Sequence, residues 1–188
     1  MGFFKRSKDS NSDKHGENSD SDGLTSTDVE MQIDSIRPAY KKDGGWMIDL
    51  PKGVPFDYTI HVCVVILKEI KGERYLPIWI GGHEADAITI KLQHVELPRP
   101  ETHDFLCAVI GSLGASVKKV IISSLKNDCF YAKTVLDHEG QLIEVDCRPS
   151  DAFSVAVRSG APIFANEEVL REVGVRLDPI TGLPIEEV

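Results

Sequence analysis

Apolar positions along the chain repeat with two periods. From Tyr58 to Ile70 the period is two: Ile60, Val62, Val64 and Ile66 face one way, and His61, Cys63, Val65 and Leu67 the other. A strand apolar on both faces at its centre is expected to lie inside a sheet covered on both sides. Lys71-Gly72-Glu73 then turns the chain into a partner strand, Arg74 to Ile80, which predicts a hairpin. Upstream, MQIDSIRPAY and GWMIDL alternate more weakly and predict strands beginning near Met31, with Gly44-Gly45 and Pro51-Lys52-Gly53 as breaks. Val117 to Leu125 is a β-branched strand. Cys129 to Leu136 and Gln141 to Asp146 form a second hairpin across Asp137-His138-Glu139-Gly140, and Pro162 to Ala165 is a short further strand.

The helical period appears four times. Gly81-Gly82 opens a helix from about His83 to His94 with Ile88, Leu92 and Val95 on one stripe. Glu84 heads that same stripe, so its carboxylate needs a partner. After Leu97-Pro98-Arg99-Pro100 a second helix, HDFLCAVIGSL, is expected to be capped near Thr102 and ended by Gly114. The third, behind Arg148-Pro149-Ser150-Asp151, carries Ala152, Phe153, Val155, Ala156 and Val157, apolar almost all the way round and therefore buried. Pro149 suits its first turn, Ser150 or Asp151 can cap it, and Gly160 with Pro162 stops it. A last helix is capped by Asn166, has Glu167 and Glu168 in its first turn, and ends at Gly174. The sum is a single α+β domain: a largely antiparallel or mixed sheet with three to four short helices packed on it. Its expected limits are 29–174, between a polar tail (1–28), too poor in apolar side chains to order itself, and a C-terminal loop (175–188).

Charge changes the picture less than its total suggests. The net charge is −9, yet residues 1–35 hold 4 basic and 8 acidic side chains and 166–188 hold 2 and 6, leaving 36–165 at 15 against 16. A near-neutral core neither demands nor excludes a polyanionic partner. No apolar run is long enough to span a membrane. The four cysteines, Cys63, Cys107, Cys129 and Cys147, are scattered without ligand spacing, which points to reduced thiols and a cytoplasmic protein.

Candidate chemistry gathers at three helix entrances: His83, Glu84 and Asp86; Arg99, His103 and Asp104; Arg148, Ser150 and Asp151. Were these to converge, they would contain what phosphodiester hydrolysis requires. An acid or histidine can take a proton from water, carboxylates can hold a divalent metal, and arginine with a helix N-terminus can stabilise charge on phosphorus. The alternative is structural, with each acid a helix cap and each arginine its ion-pair partner. Asp86, His94 and His138 read as helix or turn surface, and Lys118 and Lys119 as a solvated pair.

Four stretches in series, LPIWIGGHEADAI, LPRPETHDFL, VIISSLKNDCFYA and VDCRPSDAFSVAVRSGAPIF, resemble the bifunctional nuclease family, a bacterial and plant domain acting on RNA and DNA. The resemblance covers about residues 56–172 and implies an α+β fold and an oligomer. Glu84 falls in its G-x-x-E-A motif, Arg99, His103 and Asp104 in R-P-x-T-H-D, and Arg148, Ser150 and Asp151 in R-P-S-D-A. On this reading Glu84, His103, Asp104 and Asp151 are the catalytic candidates, Arg99, Arg148 and Ser150 bind substrate, and the substrate is RNA or DNA with little sequence preference. A rival from another class is a non-catalytic oligomeric module that binds a small anion or a partner protein at the same entrances. The lack of a basic stripe favours the rival, because affinity for a nucleic-acid backbone needs clustered Lys and Arg.

Overall fold

The structure is a computed structural model and describes residues 27–42, 45–48 and 62–176. The polar tail up to residue 26, the first part of the strand expected from Tyr58, and residues 177–188 lie outside the described residues. Hairpin formation dominates what remains. Strand β1 (Asp28–Lys42) pairs with β2 (Gly45–Ile48) and with β3 (Val62–Glu69), and β3 turns through Lys71-Gly72-Glu73 into β4 (Arg74–Gly81). The second hairpin system is β5 (Ala115–Lys126), β6 (Cys129–His138) and β7 (Gln141–Cys147), all antiparallel. Strand β8 (Ile163–Asn166) splices the two systems, antiparallel to β1 and parallel to β5. The sheet order is β7-β6-β5-β8-β1-β3-β4-β9, with β2 on β1. Strand β9 (Val175–Arg176) pairs with β4, where the pattern suggested only loop.

The double burial expected at the centre of β3 is present: Val64, Val65, Ile66 and Leu67 are all buried. Val65 and Leu67 join the main core, whereas Val64 and Ile66 pack on the opposite face with Ala39 and Tyr75.

Among the described residues four helices lie between strands: α1 (Gly82–Leu92), α2 (Thr102–Ser112), α3 (Pro149–Ser159) and α4 (Glu167–Val173). Because β7 and β8 are separated by β6 and β5, α3 must cross the sheet between them, and it packs on β5 and β6 with α1 and α2 beside it. That path explains the all-round apolar pattern. Ala152, Phe153, Val155 and Ala156 are buried together with Ile88 of α1 and Val120 and Ile122 of β5. Gly160 ends α3 at φ 73°, in the left-handed region that glycine enters freely. Asn166 caps α4, its side chain accepting from the Glu168 N–H at 2.8 Å.

The N-cap of α2 is Glu101, next to Thr102, and its N–H donates to Asp104 Oδ2 at 3.0 Å. Two local expectations change. Neither Ser150 nor Asp151 caps α3, since the carbonyl of Arg148 takes the Asp151 and Ala152 N–H groups and the side chains are left for other partners. Lys119 is not solvated but buried at 2% exposure, with its ammonium over the Phe164 ring. Alternation along β5 puts Lys119 on the sheet face opposite the core residues Val120 and Ile122, and Lys118 beside it is exposed.

Arg74 closes the far end of the sheet. It donates to Glu69 Oε1 at 2.6 Å and to both oxygens of Glu167 at 2.9 and 2.8 Å, and its own N–H reaches Glu69 Oε2. The guanidinium holds the Glu69 and Glu167 carboxyls below their ordinary values. Carboxylates with depressed values add stability above their unfolded value, about 4.3, and lose it as pH falls through the folded one. Arg74→Met is therefore expected to cost about 2 kcal/mol at neutral pH, because buried Glu69 loses its guanidinium and keeps only the backbone N–H of residue 74. Thermal melts across pH should show that gap narrowing in acid, and a gap independent of pH would rule this account out.

Candidate active site

Strand ends deliver two of the three helix entrances to one place. β4 runs without a linker into α1, and β7 into α3 through Arg148 alone, so Glu84 in the first turn of α1 meets the start of α3. Arg148 Nη1 donates to Glu84 Oε1 at 3.1 Å, and Nε and Nη2 grip Asp151 at 2.8 and 2.9 Å. Glycine at position 81 makes this possible. A Cβ there would collide with the Glu84 carboxylate, which folds back over the end of β4.

The second entrance joins through one residue. His103, in the first turn of α2, sets Nε2 3.4 Å from Asp151 Oδ1. Arg148, more than burial, decides the state of Asp151: its hydrogen bonds hold the carboxyl below the usual range, against the desolvation that would raise it. An ionised carboxylate only accepts, so His103 Nε2 is the donor in this contact, and in a neutral imidazole Nδ1 is then the acceptor. Glu84, Arg148, Asp151 and His103 thus form one connected chain. Arg148 uses three of its five N–H groups in it, its side chain is 65% exposed, and one N–H on each terminal nitrogen remains to meet an incoming oxyanion.

Asp104 is not in that chain. Its Oδ1 accepts from Arg158 Nε at 2.7 Å and its Oδ2 from the Glu101 N–H, so both oxygens are committed. Burial pulls its carboxyl upward, but those two donors outweigh it and leave the value lowered. Arg99 is exposed. It lines a separate cavity of about 400 Å³ with Asp104, Glu101 and Arg158. Glu84, Arg148 and Ser150 line another of about 290 Å³, between the end of β4 and the β5–β6 turn.

Sequence reasoning missed Arg158. Its side chain is only 3% exposed and donates to Asp104, to Glu101 Oε2 at 2.9 Å, and to the carbonyls of Ala87 and Ser154. One guanidinium therefore ties α1, α2 and α3 together and sets the start of α2, and hence His103, beside α3. The available signal was a charged residue inside the last turn of a helix apolar nearly all round.

Among the described residues no three His, Cys, Asp or Glu side chains stand together as a metal centre requires. Between Glu84 and Asp151 there is a guanidinium, which repels a cation. The donor set does not fit a preformed metal site, and the mechanism below uses none.

The family profile of the bifunctional nuclease domain matches residues 65–178, from β3 to β9. An uncharacterized protein of Mycobacterium tuberculosis is 46% identical over 123 residues, covering 65% of this chain and 73% of that protein. Bifunctional nuclease 1 of Arabidopsis thaliana and bifunctional nuclease 1 of Oryza sativa subsp. japonica are each 25% identical over 124 residues, covering 64% of this chain and 38% of theirs. The matched stretch contains the whole chain of contacts from Glu84 to His103 as well as Arg99, Asp104 and Ser150, and by that match this protein belongs to the bifunctional nuclease domain family.

Proposed function

We propose that this protein hydrolyses phosphodiester bonds of RNA and DNA with little sequence preference, at the point where Arg148, Asp151 and His103 meet. The observation that carries the reading is the ionised Asp151 between a histidine and a half-free arginine. Asp151 fixes the His103 tautomer, and His103 Nδ1 takes the proton of the attacking water as its oxygen bonds to phosphorus; one P–O ester bond breaks, and the leaving oxygen takes a proton from solvent. The two uncommitted N–H groups of Arg148 bind the non-bridging oxygens and stabilise the charge that grows on them. Glu84 holds the far side of the guanidinium. Ser150, at the start of α3, contributes to substrate binding, and Asp104 acts through the fold by fixing α2. Among the described residues no helix is long and apolar enough to cross a membrane. The reading includes a cytoplasmic location, supported by four free cysteines.

The second reading, a non-catalytic module that binds a small anionic ligand or a partner protein, keeps one observation in its favour. Glu84 and Asp151 already pair with Arg148. Purified protein incubated with labelled RNA and DNA, with and without divalent metal, separates the two. Under the nuclease reading His103→Gln and Asp151→Asn each lose about 100-fold or more in rate with unchanged melting. Arg148→Lys falls similarly, because an ammonium lacks the planar fork. Variants as active as the parent, or a parent with no hydrolysis on either polymer, leave the binding module standing.

Gly81→Ala gives a finer test. Its φ of −69° suits alanine, so folding should hold, but the new Cβ evicts the Glu84 carboxylate from Arg148. Hydrolysis is expected to drop several-fold with little change in melting temperature, and full activity would remove Glu84 from the site.

The reading also includes a homo-oligomer, formed by a second copy on α2. That helix buries none of its residues, and Phe105 and Leu113 are 65% and 70% exposed, with Leu106 and Val109 beside them. Sedimentation of the parent should show an assembly that Phe105→Glu with Leu113→Glu dissociates. A monomeric parent would contradict this.

A further inference from the structure

Beside Arg148 the structure holds a cavity whose lining does not match a phosphate. Its buried surface is apolar, from Ile78 and Ile80 of β4 and Pro149 of α3, and Phe130 of β6 lines it at intermediate exposure. One buried polar side chain interrupts this lining. Ser150 is 6% exposed and lines the cavity. A hydroxyl that lines a cavity can donate to, or accept from, something brought into it. Charge narrows what that can be. Glu84 and Asp128 also line the cavity, while its cation, Arg148, is already engaged by Glu84 and Asp151. An excess of carboxylates disfavours an anion inside and suits a neutral ring that carries N–H donors. At about 290 Å³ the space lies at the lower end of ligand cavities and admits one heterocycle, not a helix or a duplex.

We propose that this cavity is a base slot: it takes one unstacked nucleobase of the nucleotide next to the scissile bond, against Phe130, with Ser150 hydrogen-bonded to the edge of the ring. The proposal rests on the nuclease reading and adds to it a preference for single strands and strand ends. A base inside a duplex must first leave its stack to enter, whereas an unpaired base enters freely. Stacking on an aromatic side chain tolerates every base, in keeping with low sequence preference. It also supplies affinity where clustered basic residues are lacking.

Cys129 makes the slot testable. It lines the cavity and is exposed, whereas Cys63, Cys107 and Cys147 are half-buried and burial raises their thiol pKa, so Cys129 is alkylated first. Adenosine and cytidine are expected to slow iodoacetamide labelling of Cys129 several-fold, while ribose and inorganic phosphate leave it unchanged. Phe130→Ala should weaken that protection roughly tenfold or more. Ser150→Ala, which removes only a hydroxyl, should weaken it in a protein that melts like the parent. On single-stranded oligonucleotides, cleavage beside an abasic residue should be slower than beside a base. Protection by ribose equal to that by nucleosides, or no protection by either nucleoside, would overturn the slot. Labelling is read without hydrolysis, so the two proposals fail separately. A protected protein that cuts nothing keeps the slot and loses the nuclease, and an unprotected one that cuts abasic and intact strands alike loses the slot alone.

Discussion

A guanidinium buried to 3% exposure is tolerable only where carboxylates and carbonyls replace its water, and Arg158 has found both. This pairing is what the arrangement of helices depends on. Helix α3 must cross β5 and β6 to reach β8, so its body is apolar and contributes nothing to orienting its neighbours beyond shape. Directional contacts come from its two ends. At the C-terminal end Arg158 fastens α1 and α2, and at the N-terminal end Arg148 draws in Glu84 and Asp151. Removing one partner of such a buried pair costs several times more than an exposed pair contributes, about 3–5 kcal/mol against less than 1. The C-terminal end is the buried one and the N-terminal end the exposed one. Stability and chemistry are thereby assigned to opposite ends of a single helix.

The same division separates two acids that look alike. Asp104 and Asp151 each occupy the third position of a helix that follows an Arg-Pro pair. Asp104 spends both oxygens on Arg158 and on the backbone of its own helix. Asp151 spends none on capping, because the Arg148 carbonyl and Pro149 already settle the first turn of α3. Its oxygens are therefore available to hold an arginine and a histidine at once. Freedom from a capping duty is what makes Asp151 a candidate for chemistry.

Much of the fold was legible because its signals are local. The two-residue period of β3, the Gly72 and Gly140 turns, the Asn166 cap and the all-round apolar α3 each need only a few neighbouring residues to be read. The convergence of Glu84, Arg148, Asp151 and His103 was legible only as a possibility, since spacing along the chain does not say which helix starts meet. What stayed hidden depends on partners far away. Lys119 lies on the face of β5 opposite Val120 and Ile122, beside the Phe164 ring of β8, and the Arg158 clasp requires three helices at once. The parallel pairing of β5 with β8 has no local mark.

That parallel pairing has a kinetic side. Val120 meets Ile163 only after β6, β7 and α3 have been laid down between them, whereas each hairpin closes over a short turn. Loop-closure entropy therefore falls mainly on one four-residue strand at the middle of the sheet. Before β8 docks, the chain consists of two half-sheets with unpaired edges at β1 and β5, and such edges are where folding intermediates pair with the wrong chain. The splice that unites the domain is thus also its point of greatest exposure to misassembly, for as long as β8 remains undocked.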